Sequence, residues 1–249
     1  MELFGVDIGG SGIKGAPVNV DTGVVLAERE RFPTPEGAAP DDVARTVRKL
    51  LETYQWKGPV GGGFPGVVLN GVVQTAANVH PDWVGVNIEE LLTKETGLPF
   101  YVANDADVAG LAEVAFGAGK DQKGVVIVLT LGTGIGSAIF IDGILLPNTE
   151  FGHMEIRKKD AEHRASDAVR KRKELSWPEY AERLDEMLVR MENLFWPNLF
   201  ILGGGGSKHF GEFSSYLNTR TRVVPATLLN QAGTVGAAIY AATRIRRGA

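Results

Sequence analysis

The sequence predicts a chain of two α/β halves, each opened by a three-stranded β-meander with a glycine-rich first turn. Three observations lead there. The first is local: Leu3-Phe4-Gly5-Val6-Asp7-Ile8 is a short apolar strand that runs into Gly9-Gly10-Ser11-Gly12-Ile13-Lys14-Gly15. Ala16-Pro17-Val18-Asn19-Val20 is rich in β-branched residues and ends at an Asp21-Thr22-Gly23 turn, after which Val24-Val25-Leu26-Ala27 reads as a third strand. The second is a repeat. Residues 125–131 form a strand, Gly132-Thr133-Gly134-Ile135-Gly136-Ser137 a turn, residues 138–141 a returning strand, and Asp142-Gly143 a further turn before Ile144-Leu145-Leu146. With a one-residue gap at Ser11, the residues Gly9, Gly12 and Ile13 align with Gly132, Gly134 and Ile135, and Asp7 aligns with Thr130. The third is that helical and strand patterns alternate through the remainder. Two such turns facing one cleft, rich in backbone N–H groups, would form a phosphate clamp.

Gly10, Gly12 and Gly15 also satisfy the dinucleotide-binding spacing G-x-G-x-x-G, but that motif needs a helix to begin at once, and a strand follows here. A Walker loop is excluded because no Gly-Lys-Ser/Thr stands at the required spacing. Apolar spacing at Val43, Val47, Leu50 and Leu51 predicts a helix over 41–54, opened by Pro40-Asp41. Residues 60–64 read as a strand, 87–96 as a helix, 100–102 as a buried strand and 105–115 as a helix. Residues 158–173 are helical or coiled and strongly charged. Residues 176–193 form an amphipathic helix that Ser176 and Glu179 begin as a capping box. Residues 199–202 are a strand entering Gly203-Gly204-Gly205-Gly206, after which Ser207 is expected to cap a helix, and 231–244 close the chain as a helix of small residues. The expected domains are 1–104, joined by the C-terminal helix 231–249, and 105–230, with a hinge near 104.

Composition narrows the function classes. The 249 residues carry a formal net charge of −4, which argues against non-specific nucleic-acid binding. No run of apolar residues is long enough to span a membrane, and no signal peptide is recognisable. The absence of cysteine excludes disulfides, thiol nucleophiles and thiolate metal sites, and makes the cytoplasm the expected compartment. Glycine, at 32 residues, is about twice its usual frequency.

Three constellations could carry chemistry. Asn104 and Asp105 stand where a buried strand hands over to a helix, the end at which open α/β sheets bind ligands. A carboxylate there can take a proton from a substrate hydroxyl, or simply cap the helix; Asp107 reads as first-turn dipole chemistry. Glu150 and His153 flank Gly152 and can hold neighbouring hydroxyls of a sugar, or be a surface pair. Residues 157–173 contain Arg157, Lys158, Lys159, Arg164, Arg170, Lys171, Arg172 and Lys173, either a local positive field for an extended polyanion or a solvated helix face. Trp56, Trp83, Trp177 and Trp196 read as packing residues.

The segments Asp7-Ile8-Gly9-Gly10-Ser11-Gly12-Ile13-Lys14-Gly15-Ala16, Ala103-Asn104-Asp105-Ala106-Asp107, Leu131-Gly132-Thr133-Gly134-Ile135-Gly136 and Glu150-Phe151-Gly152-His153 together resemble the ROK family of bacterial sugar kinases and repressors. The passages around Phe64-Pro65-Gly66, Thr75-Ala76-Ala77-Asn78 and Lys159-Asp160-Ala161-Glu162 look closest to its branch that phosphorylates glucose from inorganic polyphosphate. The resemblance implies the duplicated actin-like (ribonuclease H-like) ATPase fold, with two α/β domains around a cleft. It implies a phosphotransferase making glucose 6-phosphate from polyphosphate, with an ATP-dependent glucokinase or glucomannokinase as the alternative. The repressors of the family carry an N-terminal DNA-binding module, and with a strand beginning at Leu3 a sensor is not expected.

Carried over by position, the resemblance makes Asp105 the catalytic base. Asn104, Glu150, His153, Glu162, Gly66 and Asn78 would contact the sugar, Glu162 standing in for a carboxylate that typical members carry beside a Cys-rich zinc motif. Without cysteine, no zinc site is expected. Asp7, Gly9, Gly10, Ser11, Gly12 and Lys14, with Thr130, Gly132, Thr133, Gly134, Gly203, Gly204 and Gly205, would bind the phosphate donor. Asp7 would help to place Mg²⁺, and Lys158, Lys159, Arg170 and Lys171 would line a polyphosphate groove. The expected partners are glucose and polyphosphate or ATP, with neither nucleic acid nor membrane, in a homodimer.

Overall fold

A computed structural model describes residues 1–76 and 79–248. The chain forms two compact units, Met1–Ala112 with Gln231–Ala249, and Glu113–Asn230.

Unit 1 begins with β1 (Glu2–Gly9), β2 (Gly12–Asn19), β3 (Val24–Val25) and β4 (Glu30–Phe32), so the third strand of the meander is shorter than its sequence suggests. Helix α1 (Pro40–Thr53) starts with Pro40 and the acidic Asp41 and Asp42 in its first turn, and buries Val43, Val47, Leu50 and Leu51. Strand β5 (Val60–Phe64), the small hairpin β6 (Val68–Leu69) and β7 (Val72–Val73), helix α2 (Ile88–Thr96) and strand β8 (Phe100–Asn104) follow. Asn87 opens α2 by accepting from the Glu90 N–H at 3.1 Å, and Gly97 closes it in the left-handed region. The main sheet has the order β3-β2-β1-β5-β8, with β4 also on β2; β1 runs antiparallel to β2 and parallel to β5, as β5 does to β8. Its core holds Phe4, Val6, Ile8, Leu50, Phe64 and Trp83, the last two rings 4.8 Å apart.

Helix α3 (Asp105–Phe116) leaves β8, and the division between units falls within it, eight residues beyond residue 104. Unit 2 then repeats the opening: β9 (Val125–Leu131), β10 (Ile135–Ile141) and β11 (Ile144–Leu146). Next come the hairpin β12 (Glu155–Ile156) and β13 (Lys159–Asp160), and the short helices α4 (Glu162–Ala165) and α5 (Asp167–Arg172), so the charged stretch is a hairpin and two helical turns. Helix α6 (Trp177–Phe195) is opened by Ser176, whose N–H and hydroxyl both donate to Glu179, at 2.9 and 2.6 Å. Strand β14 (Leu199–Gly203), helix α7 (Phe210–Phe213) and strand β15 (Val223–Pro225) complete the unit. Its sheet order is β11-β10-β9-β14-β15, the same sequence of antiparallel and parallel neighbours as in unit 1. The registers agree with the internal alignment: Ile8 pairs with Ile13 as Leu131 pairs with Ile135, and Asp7 with Lys14 as Thr130 with Gly136.

Two sequence expectations are corrected. Ser207 does not cap a helix; it lies inside a 3-10 turn over Gly205–His209 and donates back to the Gly204 carbonyl at 2.8 Å. Trp196 is not a packing residue: it ends α6 in the left-handed region, 69% exposed, with the Arg220 guanidinium 4.5 Å from its ring. Trp83, by contrast, is fully buried. No helix is long and apolar enough to cross a membrane among the described residues.

The last helix, α8 (Ala232–Arg246), returns to unit 1 and packs on β1, β5 and β8. Its small residues allow the backbones to touch. A Cβ at Gly5 would overlap the Thr234 carbonyl oxygen, and one at Gly61 the Ala237 carbonyl. Because both obstacles are backbone, neither can swing aside. Gly61→Ala should therefore destabilise the protein by about 2 kcal/mol or more, read as a lower urea midpoint at unchanged m-value. An unaltered midpoint would show that α8 is free to lift.

Candidate active site

In unit 1 the glycine turn joins β1 to β2, with Gly10 and Ser11 exposed at its tip. Its carbonyls are occupied by the protein. The Thr34 hydroxyl donates to the Gly9 carbonyl at 2.5 Å and the Arg31 guanidinium to the Ser11 carbonyl at 2.7 Å. With the Gly9 and Ser11 carbonyls satisfied by the protein, the turn is suited to offering N–H groups to an anion. Arg31 comes from β4, whose register sets it opposite Lys14. Two cations thus flank the turn, since Lys14 Nζ lies 3.5 Å from Asp7 Oδ2. Asp7 itself rests on Gly233 in the first turn of α8, where a Cβ would stand 2.9 Å from the Asp7 carboxyl carbon.

Asp105 stands at the same end of the sheet. Asp7, Gly63 and Ala103 are neighbours across β1, β5 and β8, so Ala103 is two strand spacings, about 10 Å, from Asp7. Asn104 and Asp105 follow directly. Asn104, not Asp105, caps α3: its side-chain oxygen accepts from the N–H groups of Ala106 and Asp107 at 2.8 and 3.2 Å. Its amide nitrogen donates to the Gly66 carbonyl at 3.2 Å, which brings those two predicted residues together. The capping task falls to Asn104, and Asp105 is the half-buried first residue of the helix. Asp107 is buried in the first turn. Asn78 lies outside the described residues.

In unit 2 the second glycine turn is braced in the same manner. The Gly132 carbonyl accepts from the Ala168 N–H at 3.1 Å and the Gly134 carbonyl from the Gly132 N–H at 3.0 Å. The Glu162 carboxylate accepts from the Ile135 N–H at 3.2 Å and lies so close over Gly134 that a Cβ there would overlap it. Gly203 is paired with Thr130 across β14 and β9, and Gly204 approaches the Leu131 backbone in a positive-φ conformation that leaves no room for a side chain. Thr130, Gly132, Thr133, Gly134 and Gly203 to Gly205 therefore form one glycine-lined edge.

Beside this edge stand Glu150, His153 and Glu162, with a fourth group that the spacing did not reveal. His153 Nδ1 is 3.0 Å from Asp160 Oδ2, while its Nε2 lies 3.8 Å from Glu150 Oε2. The bond to Asp160 directs Nε2 toward Glu150 and away from the hairpin. It also holds the imidazole pKa above its ordinary value, helped by the fields of Glu162 and Glu150. Burial raises the Glu150 pKa, with the Glu162 charge adding and His153 opposing. Of the basic residues proposed for a groove, Arg170 and Lys171 are engaged by the protein: both reach Asp167, at 3.5 and 2.6 Å, and Arg170 lies over Trp177. Lys159 faces a cavity on unit 2, while Lys158, in the left-handed hairpin turn, is exposed and is not among that cavity's lining residues.

Asp7 offers a single carboxylate, and no group of three metal-binding side chains converges among the described residues. A lone carboxylate of this kind can share a divalent cation with substrate phosphates and water.

Each unit thus carries a glycine turn braced by the protein, and unit 1 adds a carboxylate at the same end of its sheet, features that phosphoryl-transfer enzymes use. The chain belongs to the ROK family, whose sequence pattern matches residues 3–167. It is 47% identical to the polyphosphate glucokinase of Mycobacterium tuberculosis over 237 residues, 95% of this chain and 89% of that one. The inorganic polyphosphate/ATP-glucomannokinase of Arthrobacter sp. strain KM superposes with a TM-score of 0.93 at 49% identity, covering 98% of this chain and 99% of that one. A ROK glucokinase of Streptomyces griseus, solved with glucose and AMPPNP, gives 0.81 at 26% identity, covering 98% and 100%. The duplicated fold expected from the resemblance is thus the fold of these sugar kinases.

Replacing Asp160 by Asn should lower the His153 pKa, observable as a shifted midpoint in an NMR titration of the ring. A midpoint that stays or rises would remove Asp160 from this role. Because the folded-state value is raised, the stabilisation is complete below the unfolded value and disappears as pH rises through the folded one. The stability gap between the two proteins should close in that direction.

Proposed function

We propose that the protein transfers the terminal phosphoryl group of inorganic polyphosphate, and of ATP as a second donor, to the 6-hydroxyl of glucose. The observation that carries this reading is the position of Asp105 at the same sheet end as Asp7, Lys14 and the first glycine turn. The names of the Mycobacterium and Arthrobacter relatives support both donors, and the latter also supports mannose as an acceptor.

In this reading Asp105 accepts the proton of the 6-hydroxyl as its oxygen attacks the terminal phosphorus. The bridging P–O bond breaks, and polyphosphate leaves one unit shorter, or ADP leaves. The transition state is loose, so the protein contributes position and charge more than covalent chemistry. The N–H groups of the turns at 9–12 and 133–134, with Lys14, hold the donor oxygens as charge redistributes. Asn104, Glu150, His153 and Glu162 hold the remaining sugar hydroxyls, His153 being kept in orientation by Asp160. Gly66 shapes that pocket through its bond to Asn104. Asp7 would hold Mg²⁺, which when bound would supply charge neutralisation at the phosphates. The cytoplasm and a homodimeric state belong to the same reading; the lack of cysteine supports the first and the family resemblance the second.

A coupled assay for glucose 6-phosphate, with polyphosphate or ATP as sole donor, tests the reaction. Asp105→Asn should lower kcat by about 10²-fold or more, while glucose affinity, followed by calorimetry, changes less than about tenfold. Near-normal turnover in that variant would exclude Asp105 as the base.

A further inference from the structure

Ser137, on β10, is a polar residue only 1% exposed that the reaction described above leaves without a task. Burying a hydroxyl in a sheet is costly unless it is bonded, and this one is bonded twice. It donates to the Thr149 carbonyl at 2.7 Å and accepts from the Phe151 N–H at 3.0 Å. Thr149 reciprocates, its own hydroxyl donating to the Ser137 carbonyl at 2.9 Å. The carbonyl of Thr149 and the N–H of Phe151 belong to the two peptide planes on either side of Glu150. One side chain therefore pins both. Glu150 has φ −120° and ψ 51°, neither helical nor extended, so no strand ladder holds it and the pinned planes set its direction.

The same strand seats the rest of the turn. Strand β11 ends at Leu146, opposite Ile139, and beyond that point the segment 149–152 lies against β10 instead. Gly152 comes so close to the Ile135 carbonyl that a Cβ would overlap it, and the Ile135 N–H is the group that donates to Glu162, at 3.2 Å. The Glu150 carbonyl accepts from the His153 N–H at 3.0 Å, which makes residues 150–153 one closed turn. Ile135 and Ser137 are themselves fixed by their pairing with Leu131 and Leu129 of β9. Glu150, His153 and Glu162 thus all take their positions from two neighbouring sites on one interior strand. The Phe151 ring, edge-on to Phe195 at 5.1 Å, anchors the turn from its other side.

We propose that Ser137, paired with Thr149, is a positioning residue for sugar recognition, acting through Glu150 rather than on the sugar itself. The proposal rests on the reading of Glu150 as a contact to glucose. A carboxylate that must meet particular hydroxyls loses affinity when its backbone is free to rotate. Alanine at 137 takes away the partner of the Thr149 carbonyl and of the Phe151 N–H together, while the Phe151–Phe195 contact keeps the turn attached. What is lost is direction.

The test uses the full chain and calorimetry on Ser137→Ala, Glu150→Gln and the double variant, with glucose in the absence of donor and with tripolyphosphate in the absence of sugar. Ser137→Ala should bind glucose on the order of tenfold more weakly. Its affinity for tripolyphosphate should change less than about twofold. Because the hydroxyl acts through Glu150, the double variant should bind glucose within about twofold of Glu150→Gln alone. Should Ser137→Ala not fold, Thr149 supplies the same comparison. Thr149→Val removes the bond to the Ser137 carbonyl, whereas Thr149→Ser keeps a hydroxyl there and should bind glucose more tightly than Thr149→Val. Unchanged glucose binding in Ser137→Ala overturns the proposal, as do losses that add in the double variant, an equal loss for tripolyphosphate, or equal affinities in the two Thr149 variants. If Glu150→Gln binds glucose as the wild type does, the reading of Glu150 as a sugar contact fails first and takes the proposal with it.

Discussion

A turn can offer its amide hydrogens to an anion only if its carbonyl oxygens are satisfied elsewhere, and this accounting governs both glycine turns. In the first, Thr34 and Arg31 take the carbonyls of Gly9 and Ser11 from outside the hairpin. In the second, the α5 N–H of Ala168 takes the Gly132 carbonyl and the Gly132 N–H takes that of Gly134, while Glu162 accepts from the Ile135 N–H, so the Gly132 and Ile135 amides are spent inside the protein. Side-chain donors satisfy carbonyls of the first turn, and backbone donors those of the second. The two halves share strand order and register, but the braces behind their turns have diverged. Glycine is required for a related reason: with Glu162 over Gly134 and Leu131 against Gly204, side chains would occupy the space the braces need.

The residues proposed to hold the sugar show a comparable division of labour. Asn104 spends its oxygen on the helix cap and one amide hydrogen on Gly66, so its burial is compatible with a fixed orientation. His153 owes its direction to Asp160, seven residues later and across a tight hairpin. A cysteine-free chain thereby fixes an imidazole with a carboxylate, and no thiolate metal site is needed to do it. The carboxylates of Asp160, Glu162 and Glu150 each favour the charged form of the His153 imidazole.

The features legible in the sequence are those set by local spacing. The duplicated meander, the capping box at Ser176 and Glu179, and the small-residue helix at the end of the chain all follow from patterns within some twenty residues. The positions that escaped are those decided by pairing between distant strands. Arg31 reaches Ser11 only because β4 joins the edge of β2 in one particular register, and no spacing between the two residues announces that. Asp160 looked like one acid in a basic stretch, and only the β12–β13 hairpin turns it toward His153. Ser207 misled for the opposite reason: a capping residue after four glycines is a sound local signal, but the chain tightened into a 3-10 turn that used its hydroxyl on Gly204. Asp105 and Asn104 were distinguishable as a pair but not in their separate duties, since either side chain can cap a helix.

The return of α8 to the first unit also has a bearing on biosynthesis. Unit 2 is a single continuous run, whereas the sheet of unit 1 waits for a helix about 120 residues downstream of α3 to cover β1 and β5. During translation the second-made unit can close first. The earliest strands must emerge from the ribosome with one apolar face uncovered, a window in which chaperones or neighbouring nascent chains can reach them.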